Sequence, residues 1–398
     1  MKATQLLQVV MLAAFAGFAS AGRACAQDDE PEITPSLARL FRDNDFVVLA
    51  EWVKSSKPES KDDFGITAYK VKQIAQNFKE TVRAGDEAVV SGYRMGKAGE
   101  VVVLSGYVSN LAGRRILWDH ADRITPAAFK YATEAPSPRG TPPEKWLKYF
   151  GDFIHDSDPV IATDACQRFA MAPFKDITKA AQKMSRADVR KWVLDPKSTG
   201  ECLGLYGKLL GVRGRADDAK ALTRRINEDT EDWRTELEGL MSGYLMLTGA
   251  DGLVLVDEKL KDFEIPYSEA NDILKSLRFM KRNLPDRIKD QRLLQSVRLL
   301  LDRPDFSDLV ISDLQRWKDW SVQDRLMKMY PKGTPSIKRA IIRYMLACSK
   351  DGPKKDAGKA PEHAAAARKH LEELRRIDPK RVEETERFNA ANFFGRDK

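Results

Sequence analysis

The chain has 398 residues, with 67 Lys and Arg against 59 Asp and Glu and a formal net charge of +8. Hydrophobic residues make up 42% and charged residues 32%, a globular balance that excludes a disordered or fibrous chain and leaves ample material for a core. Four cysteines in this length exclude a cystine-stapled scaffold, and four histidines leave few members for a catalytic triad or a zinc site.

Residues 1–26 read as a secretory signal peptide. Lys2 precedes the apolar run LLQVVMLAAFAGFASA, and the small-residue sites Ala19-Ser20-Ala21 and Ala24-Cys25-Ala26 follow, the order that marks such a segment. The run is shorter than the roughly 20 apolar residues a membrane span needs. Gly22 stands where a lipobox would carry an aliphatic residue, so cleavage is expected after Ala26 rather than lipidation at Cys25. Loss of Lys2 and Arg23 lowers the formal charge to +6 and leaves 372 residues, with no second run long enough to cross a bilayer. The expected location is therefore outside the cytoplasm: periplasmic, extracellular or associated with the cell envelope.

Residues 27–44, acidic and broken by proline, are expected to be loose. From 45 to 133 the apolar period becomes two, as in strands. DFVVLAEWV sets Phe46, Val48, Ala50 and Trp52 on one face, and GITAYKVKQIA alternates in the same way. DEAVVSGY and EVVVLSGYV are short β-branched runs separated by RMGKAG, which reads as a hairpin loop, and RRILWDHADRI is the fifth strand. Five short strands predict a small barrel or sandwich, with the polar loop KSSKPESKDD (54–63) as its longest excursion. The opening strand, then FKETVRAGDEAVV leading into a hairpin, resembles the OB-like barrel of netrin and tissue-inhibitor modules. In that family an N-terminal cysteine ligates a target zinc, but Cys25 falls within the expected signal peptide, so the resemblance does not extend to that mechanism.

Residues 134–143 (EAPSPRGTPP) form a proline-rich linker, because proline removes amide donors and stops either regular structure. Beyond it the pattern is helical. Trp146, Leu147, Phe150, Phe153 and Ile154 recur at three- and four-residue steps. Asp158 then reads as an N-cap, with Pro159 at the first helical position. Ile161, Ala165 and Phe169 continue the stripe to Pro173, and Ser185 with Asp188 resembles a capping box. A helix carrying Cys202, Leu205, Tyr206 and Leu209 is expected to end at Gly211 and Gly214. Later stripes run through Trp233–Tyr244, Leu253–Leu260, Ala270–Leu277, Leu294–Leu301, Leu309–Trp317 and Ile337–Met345.

Roughly a dozen short helices, with second-helix starts about 40 residues apart at Asp158 and Thr199, resemble HEAT-type repeats over 144–348. DSDPVIATDACQRFA and TPSIKRAIIRYMLAC carry the resemblance. It implies an α-solenoid in which each repeat buries its face on the next. The fold class expected is thus α+β multidomain, a small N-terminal β barrel or sandwich followed by an all-α HEAT-like solenoid. Residues 349–362 read as a disordered basic linker and 363–398 as a C-terminal helical tail that either caps the solenoid or floats.

No sequence signature of catalysis emerges. There is no HExxH, GxSxG or phosphate-binding glycine loop; GVRGRADD (211–218) follows a helix and reads as its cap and turn. In WDHAD, His120 and Asp122 share a strand face while Asp119 points away, so three metal ligands do not converge. His155 beside Asp156 reads as a solvated histidine. No catalytic residue, metal or cofactor is expected. Cys166 and Cys202 are the pair to test for a disulfide. Trp146, Trp192, Trp233 and Trp317 keep step with the core; Trp320, off that register, is a candidate contact residue, as are Lys70 and Lys72 on the barrel. The functional expectation is a non-catalytic exported scaffold binding a protein or peptide. The alternatives are a carboxylate-based hydrolase of envelope polymers, and nucleic-acid binding through the barrel, which export disfavours.

Overall fold

The computed structural model describes residues 44–60, 63–109, 115–137, 140–198, 200–228, 234–352 and 361–394, excluding the side chains of 120–123, 201 and 389–394. The expected signal peptide, nearly all of 27–44, Trp233 and the centre of the 349–362 linker lie outside the described residues. Five strands come first: β1 (Phe46–Ser56), β2 (Ile66–Asn77), β3 (Glu87–Ser91), β4 (Val101–Ser109) and β5 (Arg115–Arg123). They close a barrel in the order β1-β2-β3-β5-β4. Pairing is antiparallel except between β3 and β5, which run parallel with Val90 opposite Trp118.

This order corrects one expectation. RMGKAG does not close a hairpin, because β5 lies between β3 and β4. Residues 92–100 cross one end of the barrel instead. The physical reason lies in the apolar face of β5: Trp118 packs with the barrel interior and meets Phe46 at a centroid distance of 5.9 Å. That burial is available only where β5 sits between its two neighbours. The interior is filled by Phe46, Val48, Ala50, Tyr69, Val71, Val90 and Leu104.

β1 is apolar on both faces. Its alternate residues Val47 and Leu49, with Val103 of β4, join a second cluster that includes Ala128, Phe129 and Ala132. Those three belong to α1 (Pro126–Glu134), whose N-terminus is capped by Thr125 Oγ1 accepting the Ala128 N–H at 3.1 Å. The strand-like reading of 45–133 therefore stops short: a helix begins before the proline-rich segment. Thr-Pro ahead of an apolar stripe is a helix-start signal.

The helical body follows as α2 (Pro143–Gly151), α3 (Pro159–Ala170), α4 (Phe174–Ala181), α5 (Arg186–Leu194), α6 (Gly200–Arg213) and α7 (Ala219–Ile226). Then come α8 (Leu237–Thr248), α9 (Leu253–Lys261), α10 (Tyr267–Asn283), α11 (Asp290–Leu299), α12 (Ser307–Arg316), α13 (Gln323–Met329) and α14 (Pro335–Ser349). The last described elements are α15 (Glu362–Ile377) and α16 (Pro379–Phe394). Asp158 caps α3 by accepting the Val160 N–H at 2.9 Å, with Pro159 at its first position.

Packing runs in series. α3 meets α6, α6 meets α8, α8 meets α10, and α12 meets α14. Between α10 and α12, Arg278 donates to Asp313 at 2.7 Å. Other helices lie alongside, α2 on α3, α5 on α6, α7 on α8, α11 on α10 and α13 on α14. The C-terminal tail does not float: Ala364, Ala367, Leu371 and Leu374 of α15 are buried, and α15 packs on α14. Leu237–Lys261 is long and apolar enough to span a bilayer by length and composition, but α8 within it is packed between α6 and α10.

Gly211 does not end α6, as its position suggested. It lies inside the helix, where Gly204, Gly207 and Gly211 meet Gly239 and Gly243 of α8 backbone to backbone. A Cβ on Gly243 would stand 2.0 Å from the Gly207 carbonyl oxygen, and one on Gly239 2.1 Å from that of Gly204. Overpacking of this kind costs about 1–3 kcal/mol or more. Gly243→Ala and Gly239→Ala should therefore lower the thermal midpoint clearly. Gly204→Ala, whose Cβ meets Glu236 no closer than 3.3 Å, should cost less; an equal or reversed order in melting curves would contradict this packing.

Cys166 of α3 and Cys202 of α6 are joined by a disulfide, their Cα atoms 5.2 Å apart across a separation of 36 residues. Closing a loop of that length stabilises by about 4 kcal/mol in the chain-entropy picture. Denaturant unfolding with and without reductant should differ by that order, and the Cys166→Ala/Cys202→Ala double variant should show no such difference.

Candidate functional site

The crossing segment between β3 and β4 shapes the mouth of the barrel. Its position is set by hydrogen bonds from inside the sheet. Thr67 Oγ1 donates to the Gly92 carbonyl at 2.8 Å and accepts the Arg94 N–H at 2.9 Å. Ser55 Oγ donates to the Arg94 carbonyl at 2.5 Å and accepts the Trp52 indole N–H at 2.9 Å. Gly96 lies directly against that indole: a Cβ there would be 2.4 Å from Trp52 Cδ1. Glycine at 96 is thus required by a close approach.

These contacts leave a cleft of about 410 Å³. Tyr69 and Val102, interior residues of the barrel, line its floor; Trp52, Met95, Arg94 and Glu100 line the rest. Beside it, the β2–β3 pairing carries on past the strand ends, with the Tyr93 N–H donating to the Phe64 carbonyl at 2.8 Å. Phe64 is 70% exposed and Met95 78%. The Lys57 ammonium sits 5.9 Å from the Tyr93 ring centroid.

The apolar exposure continues over the outer barrel face. Val89 is opposite Ala68, next to Leu117 through the parallel pair Val90–Trp118, and Leu117 is opposite Tyr107. Ile66, Val89, Leu117 and Tyr107 are all exposed. A second cleft, also about 410 Å³, lies between β2 and α1, where Ile74 and Phe129 face Lys130 and Glu134.

Lys70 and Lys72 lie on this barrel but do not make a basic stripe. Lys72 donates to Glu51 at 2.8 Å, holding that carboxyl below its ordinary range, and Lys70 is paired in register with Glu87. Trp320 is not free surface either. Its indole N–H donates to Asp351 at 2.6 Å, and its ring is T-shaped on Tyr344 at 5.2 Å and stacked on His363 at 6.2 Å. It ties the turn before α13 to the end of α14 and the start of α15.

The other sequence candidates separate. Asp119 is exposed, and the side chains of His120 and Asp122 lie outside the described residues, among which no group of three metal-ligating side chains occurs. His155 is exposed and rests on Trp192 at 5.3 Å. Burial pushes the free Cys348 thiol up to about 11, the opposite of an activated nucleophile. Asp272 is the buried acid closest to hydrolase chemistry: burial raises it, Lys275 at 3.2 Å opposes, and Glu238 and Glu236 add to the rise. Neither barrel cleft holds two carboxylates; one has Glu100 and the other Glu134.

The mouth was missed by sequence reasoning because Trp52 counted as strand core, Tyr93 as the end of a strand run and residues 94–99 as a hairpin loop. The available signal was YRMG itself, an aromatic, an arginine and a methionine in a loop where turn chemistry asks for none of them.

Asp351 generates a pH test. Hydrogen bonds from Lys318 and Trp320 hold its carboxyl below the ordinary range, with the Lys318 and His363 charges adding. A depressed acid contributes stability above its unfolded value, near 4, and loses it as pH falls further. The stability gap between the native chain and Asp351→Asn should therefore be full at neutral pH and shrink below about pH 4. A gap that widens in acid would refute the assignment.

No protein-family model matches the sequence, and no curated protein matches it.

Proposed function

We propose that the chain is an exported, non-catalytic scaffold: a HEAT-like helical stack that offers an extended surface to a protein or peptide, with an OB-like barrel as a second contact. The observation that carries this reading is serial packing: α3 rests on α6, α6 on α8, α8 on α10, and α12 on α14, with ion pairs between successive helices. Lys208 of α6 meets Glu238 of α8 at 2.6 Å, and Arg278 of α10 meets Asp313 of α12 at 2.7 Å. A row stacked in this way presents a rigid, extended face, the form repeat proteins use for recognition.

Further features agree. Strand order β1-β2-β3-β5-β4 with β3 parallel to β5 suits a five-stranded Greek-key barrel of the OB type, a fold built to carry binding surfaces. The disulfide between α3 and α6 suits an oxidising compartment. Nucleic acid is the weaker partner, because Lys70 and Lys72 are each set against a carboxylate and polyanion binding needs concentrated, uncompensated base. A hydrolase is weaker for the opposite reason: the raised acid Asp272 is engaged by Lys275, and the serial ion pairs hold charge in structural roles.

The test places a photo-crosslinking amino acid in the full-length protein at exposed Val254 of α9, Leu309 of α12 or Val89 of β3, followed by irradiation in the exporting cell. The expected outcome is a discrete protein adduct from at least one helical position. Adducts from Val89 alone would move recognition to the barrel, and a nucleic-acid adduct there would replace the scaffold reading.

A further inference from the structure

We propose that Asp272 is the proton-binding group of an acid-strengthened joint between α8 and α10. The proposal does not rest on the scaffold reading, because it concerns how the stack is held together and not what it binds.

The joint lies just past the firmest ties of the stack. α3 is bound to α6 by the Cys166–Cys202 disulfide, and α6 meets α8 backbone to backbone through their glycines. From α8 onward side chains hold the contact. Arg287, which follows α10, donates to the Met246 and Leu247 carbonyls at 2.8 and 2.7 Å, and the Lys208 ammonium of α6 sits 4.9 Å from the Phe279 ring centroid of α10. A change of charge here acts on contacts that can give way.

Other charges of α10 are matched by neighbouring helices. Glu269 meets Lys259 of α9 at 2.7 Å, Arg278 meets Asp313 of α12 at 2.7 Å, and Lys281 meets Asp290 of α11 at 2.5 Å. Asp272 faces like charge instead, from Glu238 of α8 and from Glu236, the residue that precedes that helix. Those two acids have cations of their own, Lys208 at 2.6 Å and Arg234 at 2.8 Å. The hydrogen bond that Asp272 accepts comes from Lys275 of its own helix, at 3.2 Å. That lysine side chain is 47% exposed, whereas Asp272 is 8% exposed. A carboxylate withdrawn so far from water, with a solvated lysine as its donor, is costly as an anion and much less so as a neutral acid.

Burial, the largest cause, accordingly lifts the Asp272 carboxyl above its ordinary range; Lys275 opposes the rise, and Glu238 and Glu236 add to it. Its pH dependence therefore runs opposite to that of Asp351. A carboxyl raised in the folded state contributes stability that is full below its unfolded value, near 4, and is lost as pH rises through the folded value. At neutral pH the anion repels the acids of α8 and loosens the joint. As pH falls toward 4 the proton binds the folded chain first, removes the repulsion and tightens α10 on α8.

The experiment compares the full-length native protein with Asp272→Asn in thermal midpoint and amide exchange, from about pH 7.5 to 3.5. Asparagine keeps the shape and the acceptor for Lys275 but carries no charge. The variant should melt above the native chain at neutral pH, and this advantage should fade as pH falls toward 4 and be lost below it. Amide exchange, corrected for its intrinsic pH dependence, should slow in α8 and α10 of the native chain over the same range and stay level in the variant. A variant that melts below the native chain at neutral pH would overturn the proposal, as would a difference that does not change with pH. Lys275→Gln, at a half-exposed side chain, decides the matter if Asp272→Asn does not fold. Its deficit against the native chain should be largely gone by about pH 4, where the folded acid is already neutral. A deficit still half present there would place Asp272 in the ordinary carboxylate range and overturn the joint as a proton-binding device.

Discussion

The wedging of β5 between β3 and β4 governs what the barrel can present. A hairpin between two adjacent antiparallel strands needs only two to five turn residues. Because Val90 faces Trp118 rather than a residue of β4, the chain must instead travel across the barrel end from Ser91 to Val101. That passage is long enough to hold Tyr93, Arg94, Met95 and Gly96 over the open end. It is also short enough for Thr67 and Ser55 to hold it down by hydrogen bonds to its backbone. The same topology that closes the core thus builds the rim of a cleft whose floor is the core itself.

A second constraint binds the barrel to the helices. β1 places Phe46, Val48 and Ala50 inside and Val47 and Leu49 outside, and all five are fully or almost fully buried. Burying a side chain of this size is worth about 1.5–3 kcal/mol, so a barrel alone would leave an unfavourable patch on its outer wall. α1 covers it with Ala128 and Phe129, and the cluster continues through Phe150 and Phe169 into the stack. Tyr131 of α1 reinforces the joint, its hydroxyl donating to Asp164 of α3 at 2.8 Å; burial first, and then the Asp164 charge, push that phenol well above its ordinary range. Apolar contact also bridges the proline-rich segment, with Tyr131 before it meeting Phe153 after it at a centroid distance of 4.9 Å.

Much of this was legible in the residues, and the failures share a cause. Period-two patterning located the strands, and Asp158-Pro159 and Ser185 located helix starts, because such signals act between neighbours in sequence. Strand order was not legible: the placement of β5 depends on which apolar faces meet across the barrel, and RMGKAG carries the same glycine chemistry whether it closes a hairpin or crosses an end. Gly211 was read as a terminator because glycine has two uses, escape from helical geometry and close approach of backbones. Only the arrival of Gly243 from α8 distinguishes them. Trp320 looked exposed because it falls off the helical register; its partners Asp351 and His363 come from beyond the next two helices. At the candidate site the residue types were visible, but their convergence was a property of the crossing loop.

The continuity of the apolar core constrains how the two parts can act. One cluster runs from Val47 of β1 through Phe150 and Phe169 to Met345 of α14, so barrel and helices share a core. Between helices, Lys208 meets Glu238 at 2.6 Å and Arg278 meets Asp313 at 2.7 Å; charges already satisfied by one another offer a ligand little. At the barrel end, Phe64 and Met95 are 70% and 78% exposed. Their full burial would contribute about 3–6 kcal/mol, against an association cost of about 4–15 kcal/mol or more in lost freedom. A partner of the kind proposed above would therefore need contacts on both parts, and the shared core lets engagement of one raise the effective concentration for the other.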